Sequence, residues 1–282
     1  MHQGHPFRTG VRTITESAPP SSLRTPVVGL RIGPGDGPQR ARAKLPELEA
    51  LLTSVAPDSV RLLEIDPASQ LDRVPRAVTR FTQLEYAHVA GRKLRDYSAL
   101  APLHQVKSLF VTGYRETTLW PMPQLALESF RSIGDSLTSC ALSSKKLWFQ
   151  RSKLQRFERG VVDELWLEKC PSLDHDSIRT LTGLRHLTLM GQRLVSLDFL
   201  AACPSIRMLD IFALPKSVDV DELVRTTTIE RVFLGTNDKV VERIGAANPR
   251  LAITNGEACF IGGKPARHFG DFHPTPSRQL LV

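Results

Sequence analysis

Side chains able to ligate a metal or activate a nucleophile gather at few places in this 282-residue chain, and none completes a recognisable site. His268, Asp271 and His273 in the segment H-F-G-D-F-H could turn three ligands toward one ion. The segment has no fourth ligand and no turn to fix it, and Pro274 and Pro276 follow, so it reads as an unstructured tail rather than a metal site. Asp174-His175-Asp176 offers two carboxylates beside an imidazole, but the spacing places them at the start of a short helix. There the carboxylates act as caps and the histidine faces solvent. The glycine-rich stretches Gly33 to Pro38 and Gly262-Gly263-Lys264-Pro265 lack the Lys-Ser/Thr pair and the strand-to-helix context of a phosphate loop. No G-x-S-x-G occurs, and Cys140, Cys170, Cys203 and Cys259 are too far apart for a zinc pattern, so free buried thiols are expected. The residues argue against an enzyme and imply no catalytic residue, metal or cofactor.

What remains is the chemistry of contact. Phe110, Trp148, Trp166, Phe212 and Phe233 recur at similar places in a repeating pattern, accompanied by Arg131, Lys146, Glu164, Glu168 and Arg231. Large rings flanked by charges of both signs have the composition of a protein-binding hot spot.

The pattern that would position them is an apolar-x-x-apolar-x-apolar triplet repeated about every 17 to 25 residues. It runs through Val60/Leu63/Ile65, Phe81/Leu84/Tyr86, Val106/Leu109/Val111, Leu127/Phe130/Ser132, Ser144/Leu147/Phe149, Val162/Leu165/Leu167, Leu184/Leu187/Leu189, Ile206/Leu209/Ile211, Ile229/Val232/Leu234 and Asn248/Leu251/Ile253. If the triplets point inward, strand alternation turns the intervening residues outward. The position between the second and third members is Glu64, Glu85, Phe110, Arg131, Trp148, Trp166, Thr188, Asp210, Phe233 and Ala252. The rings among these are expected to be exposed, with the two tryptophans on neighbouring rungs about 5 Å apart.

The triplets resemble the leucine-rich-repeat superfamily, whose consensus L-x-x-L-x-L-x-x-N/C-x-L is matched best from Val162 to Leu173, with Cys170 at the Asn/Cys position. Gln192 and Asn237 hold that position in two other repeats. Elsewhere it is filled by residues such as Asp135, Ser152 and Leu214, so a uniform asparagine ladder is missing. The resemblance implies an α/β solenoid, a horseshoe with a parallel concave sheet and about ten irregular repeats. Its convex side mixes short helices with extended segments. From Leu165 onward the intervals leave room for helices, with starts at Asp174 or Asp176, Asp198, Asp219 or Asp221, and Asn237 or Asp238. Between Phe130 and Leu165 they shrink to about 17 and 18 residues, which requires an extended crossing.

Three segments follow. Residues 1–44, basic and rich in Pro, Gly, Ser and Arg, form a partly flexible arm in which Pro26 to Ile32 could make a first strand before the Gly33 to Pro38 loop. Residues 45–256 are the solenoid, opening on an amphipathic cap helix from Leu45. Residues 257–282 add an edge strand and a tail, entered through a two-residue turn at Asn255-Gly256. The net charge is +8, and the arm alone carries seven basic residues against Glu16 and Asp36. The repeats mix both signs, which argues against a phosphate-tracking solenoid. No run of 18 apolar residues and no leader-like apolar region occurs, so the expectation is a cytoplasmic protein without a membrane role. The expected partner is another protein on the concave face, as for an immunity or effector-neutralising protein. A nucleic-acid partner for the basic arm and a self-associating scaffold are the alternatives, with monomer or homodimer left open.

Overall fold

The computed structural model describes residues 11–14, 29–32, 45–65, 71–91, 94–112 and 126–266. The chain divides into two compact units, one built on residues up to 138 with 142–144, the other on 139–141 and 145–281.

In the first unit six strands lie side by side: β1 (Val11–Ile14), β2 (Gly29–Ile32), β3 (Leu62–Ile65), β4 (Tyr86–Ala90), β5 (Ser108–Thr112) and β6 (Leu127–Ile133). All pairings are parallel, and Leu30, Leu63, Ala87, Leu109 and Phe130 form one row across the sheet. Every member of that row is at most 2 % exposed, so one face of the sheet is the core. The sheet thus reaches into the arm of the sequence reading, through β2 within the stretch where a first strand is expected and through β1 where none is. Helix α1 (Leu45–Ser54) therefore crosses between β2 and β3 and is not a terminal cap. Its Glu49 carboxylate accepts hydrogen bonds from the backbone N–H groups of Arg76 and Ala77 at 2.6 and 2.7 Å, satisfying the start of the next 3₁₀ crossing.

The second unit continues the same construction. Strand β8 (Ser144–Gln150, all but Ser144 in this unit) lies beside β10 (Gly160–Glu168), followed by β12 (His186–Met190), β13 (Met208–Phe212), β14 (Arg231–Leu234) and β15 (Ala252–Thr254). Leu165, Leu187, Leu209, Val232 and Ile253 form the inner row. The short crossings are extended, as their length demands: β7 (Ser139–Cys140) pairs with β9 (Arg156–Phe157), and the start of β10 pairs with β11 (Leu181–Thr182). The longer ones carry 3₁₀ turns at His175–Thr180 and Asp198–Ala202, then helices α2 (Asp221–Arg225) and α3 (Asp238–Ala247). Asp174 caps the first of these turns, and Asn237 caps α3 by accepting from the Val240 N–H at 3.1 Å.

Each unit is thus a stack of in-register parallel rungs joined by crossings on one side, which is the leucine-rich-repeat solenoid. At the Asn/Cys position the ladder is heterogeneous but functional: Ser152 is fully buried and accepts from the Leu154 N–H, Cys170 Sγ lies 3.5 Å from the Phe149 carbonyl, and Gln192 donates to the Met190 carbonyl at 3.3 Å. Ser132, a polar residue at an inward position, is satisfied by a hydrogen bond to buried Asp135.

Two rungs sit differently from the sequence reading. The second repeat places Ala87 and Val89 inward, three residues beyond Leu84 and Tyr86, so His88 and not Glu85 joins the outward row. In the last repeat Ile253 lies in the row of second members and Thr254, not Ala252, is level with Phe233. The terminal hairpin pairs Ile253 with Phe260 and Thr254 with Cys259, leaving a four-residue loop in place of the expected two-residue turn. Strands β16 (Cys259–Ile261) and β17 (Lys264–Pro265) complete that edge.

Candidate functional site

The face of each sheet turned away from the crossings is the open face, which corresponds to the concave side of the sequence reading. In the first unit Glu64, His88, Phe110 and Arg131 are level with one another along it. His88 and Phe110 stack at 4.3 Å and 7°, and the Arg131 guanidinium lies 5.0 Å from the Phe110 ring centre. Tyr86 stands beside them, its hydroxyl pushed up to about 12 by burial first and by the Glu64 charge second, with Arg131 acting in the opposite sense.

The second unit holds the remaining expected residues. Trp148 and Trp166 stand on neighbouring strands with ring centres 5.1 Å apart, Trp166 and Phe212 meet at 6.4 Å, and Phe212 and Phe233 at 4.8 Å. The four rings form one continuous band. They are not exposed as expected: Trp148 is only 7 % accessible, and Trp166, Phe212 and Phe233 are half-buried, as is Phe110 in the first unit. Rings spaced by one or two strand separations lie against each other and shield their faces. The buried Trp166 indole N–H has no hydrogen-bond partner among the described residues. Of the charged residues, Lys146 and Glu164 pair at 3.1 Å at the side of the band, Glu168 is half-buried one position past Leu167, and Arg231 is exposed.

On β12 and β13, beside the strand of Trp166, lies a polar cluster of His186, Thr188 and Asp210, the last two at outward positions of the sequence reading. His186 Nε2 is 2.7 Å from Asp210 Oδ2, and Thr188 Oγ1 is 3.4 Å from each of those atoms. The parallel register brings His186 and Asp210 to adjacent strands, two positions apart, a juxtaposition readable from the triplet alignment. The group superficially resembles a hydroxyl, base and carboxylate. However, both contacts fall on one ring nitrogen, and Thr188 is only 2 % exposed, so no proton path links a reachable nucleophile to the base. The cluster satisfies a carboxylate that is itself 5 % exposed.

The other candidates resolve as follows. His268, Asp271 and His273 lie outside the described residues, as does the Gly33 to Pro38 loop. No group of three metal-ligating side chains occurs among the described residues. His175 is half-buried against Phe199, 5.9 Å between ring centres, rather than facing solvent; burial holds its pKa below the usual value, against the pull of Asp174 and Asp176. All four cysteines are free and buried, and burial pushes the Cys203 thiol up to about 11. Among the described residues no helix is long and apolar enough to cross a membrane.

No family model and no curated protein matches the sequence. Among solved structures, the chain is similar to an internalin from Listeria monocytogenes at 12% identity and a TM-score of 0.47, covering 81% of this chain and 72% of that one. It is also similar to a leucine-rich-repeat protein of Leptospira interrogans at 10% identity and a TM-score of 0.35, covering 80% and 70%.

Proposed function

We propose that this chain is a non-enzymatic interaction protein that holds another protein against the open face of its second unit. The observation that carries this reading is the band Trp148–Trp166–Phe212–Phe233, four rings in unbroken contact on the sheet face opposite the described crossings. Half-buried rings still present apolar edges to water, and a partner that covers them gains about 25 cal/mol for each Å² removed from solvent. Lys146, Glu164, Glu168 and Arg231 at the sides supply polar contacts that fix the docking register. A face built for contact and lacking a reachable reactive group suits a protein that acts by occupying its partner, as an immunity or effector-neutralising protein does.

The test is capture of a partner from the protein's own cell extract by the full chain, alongside the variant Trp166→Ala/Phe212→Ala. Each ring should be worth about 2 kcal/mol or more of binding. The variant should therefore lose the partner while keeping the circular dichroism of the parent. A partner retained by the variant refutes the reading. Light scattering of both proteins addresses self-association: a dimer that dissociates in the variant would assign the band to a second copy.

A further inference from the structure

The strands of the second unit end on a run of left-handed residues: Arg151 at φ 52°, Lys169 at 51°, Gly191 at 58° and Ala213 at 61°. They stack rung on rung, because the Arg151 N–H donates to the Glu168 carbonyl at 2.7 Å, Lys169 to Met190 at 2.8 Å and Gly191 to Phe212 at 3.4 Å. Glycine is the residue this conformation favours, yet two successive rungs place a long cation there. A Cβ on Gly191 would come within 3.2 Å of Lys169 Cγ, so the bare glycine gives the lysine stem its path along the rim.

Lys153, Arg193 and Lys216 lie in the same turns, and all five cations are exposed. The rim segments 151–155, 169–173, 191–195 and 213–218 contain no Asp or Glu. Several other arginines of this unit are paired, Arg185 with Asp163, Arg207 with Glu230 and Arg225 with Glu222, whereas none of the five rim cations forms an ion pair among the described residues. The same rim bears Val195, 89 % exposed, the most accessible of the large apolar residues described. Signs that look mixed along the sequence are therefore segregated in space.

Resting on the open-face reading above, we infer that this rim is the charged half of the docking surface and that the partner is an acidic protein. It sets carboxylates against Arg151, Lys153, Lys169, Arg193 and Lys216, and apolar side chains against Val195 and the aromatic band. Charge complementarity selects the partner and speeds its approach, while the rings hold it. A nucleic acid fits this surface less well. Rings already packed on one another offer no open faces on which bases could stack.

The experiment uses the full chain, the rim variant Lys153→Glu/Arg193→Glu and the band variant Phe212→Ala. The partner captured from nuclease-treated extract is identified, produced separately and titrated against all three at about 50, 150 and 400 mM salt. The expected partner is net negative. The rim variant should bind it at least about tenfold more weakly at low salt, chiefly through slower association, with the gap closing at high salt. The band variant should be weak at every salt. Poly-L-glutamate should compete with the partner and oligothymidylate should not. A neutral or basic partner, an unchanged rim variant, or stronger competition by oligothymidylate overturns the inference and leaves the open-face reading standing if the band variant is still weak. If the band variant also binds normally, both fail.

Discussion

Phe212 is the ring on which the functional reading can be measured most directly, because stability and binding should respond to its loss in a fixed ratio. A fully buried phenylalanine replaced by alanine costs about 3–5 kcal/mol, part of it for the cavity left behind. Phe212 is half-buried and its removal opens a notch to solvent rather than a closed void, so Phe212→Ala should cost roughly half, about 2 kcal/mol. The contacts to Trp166 at 6.4 Å and Phe233 at 4.8 Å account for much of this, at about 0.5–1.5 kcal/mol per ring pair. The melting temperature should fall by about 4–8 °C, which leaves the protein folded at room temperature. Binding should weaken by about 30-fold, the equivalent of roughly 2 kcal/mol. Leu209 on the same strand supplies the contrast, being fully buried on the inner row. Leu209→Ala should cost about 2–5 kcal/mol of stability and, where the variant remains folded, leave affinity unchanged. Denaturant titration gives the stabilities and calorimetric titration with the captured partner gives the affinities. A Phe212 variant that loses more than about 4 kcal/mol of stability, or one that binds as the parent does, would show that the ring belongs to the core and not to a docking face.

Tyr86 keeps its proton more tightly folded than unfolded, since its pKa is raised from 10.0 to about 12. That contribution is present below pH 10 and is lost as pH rises through about 12, so denaturant midpoints should fall across this window, and Tyr86→Phe should flatten the slope. Asn237→Ala removes the acceptor for the Val240 N–H at the start of α3 and should cost about 1 kcal/mol, read by chemical denaturation. Gly245→Ala would set a methyl group 2.5 Å from Phe260 Cβ and 3.1 Å from Ile253 Cγ2, so overpacking of about 1–3 kcal/mol outweighs the helix-propensity gain of about 1. The net loss should shrink in a Phe260→Gly background, which removes both Phe260 Cβ and Cγ, and a double-mutant cycle isolates the clash.

Most of the repeat register was readable because leucine-type residues at fixed spacing have one interior to occupy. It slipped where the spacing admits two solutions. Between Phe81 and Val89 the apolar residues Phe81, Leu84, Tyr86, Ala87 and Val89 fit either alignment, and the small Ala87 hides the true inward position. In the last repeat Leu251 and Ile253 are both fully buried, and the hairpin that follows ends the strand before a third inward residue is needed. The outward rings were identifiable by position, but not their exposure. Whether rings on adjacent strands stand apart or lie on one another depends on side-chain rotamers and cross-strand packing, which spacing does not encode. The rim cations escaped notice for a related reason: Arg151, Lys169 and Arg193 are ordinary surface residues in the sequence and become neighbours only once the rungs are stacked.

The shortest crossings coincide with the tryptophans, and this has a consequence for binding. Trp148 and Trp166 are separated by 18 residues, too few for a strand and a helical crossing, so β7, β9 and β11 make the opposite side of these rungs from extended chain. Phe157 of β9 packs edge-on against Phe149 of β8 at 5.7 Å, directly behind Trp148 in the strand. Backbone pairing on both sides of the core, with an aromatic contact between them, leaves the strand carrying Trp148 little freedom. Rings held in position before a partner arrives lose less conformational entropy on docking, a term of about 0.5–1.5 kcal/mol for each side chain otherwise immobilised on binding. A short repeat interval, which in isolation looks like a defect of the pattern, is thereby the feature that preorganises the tryptophan end of the aromatic band.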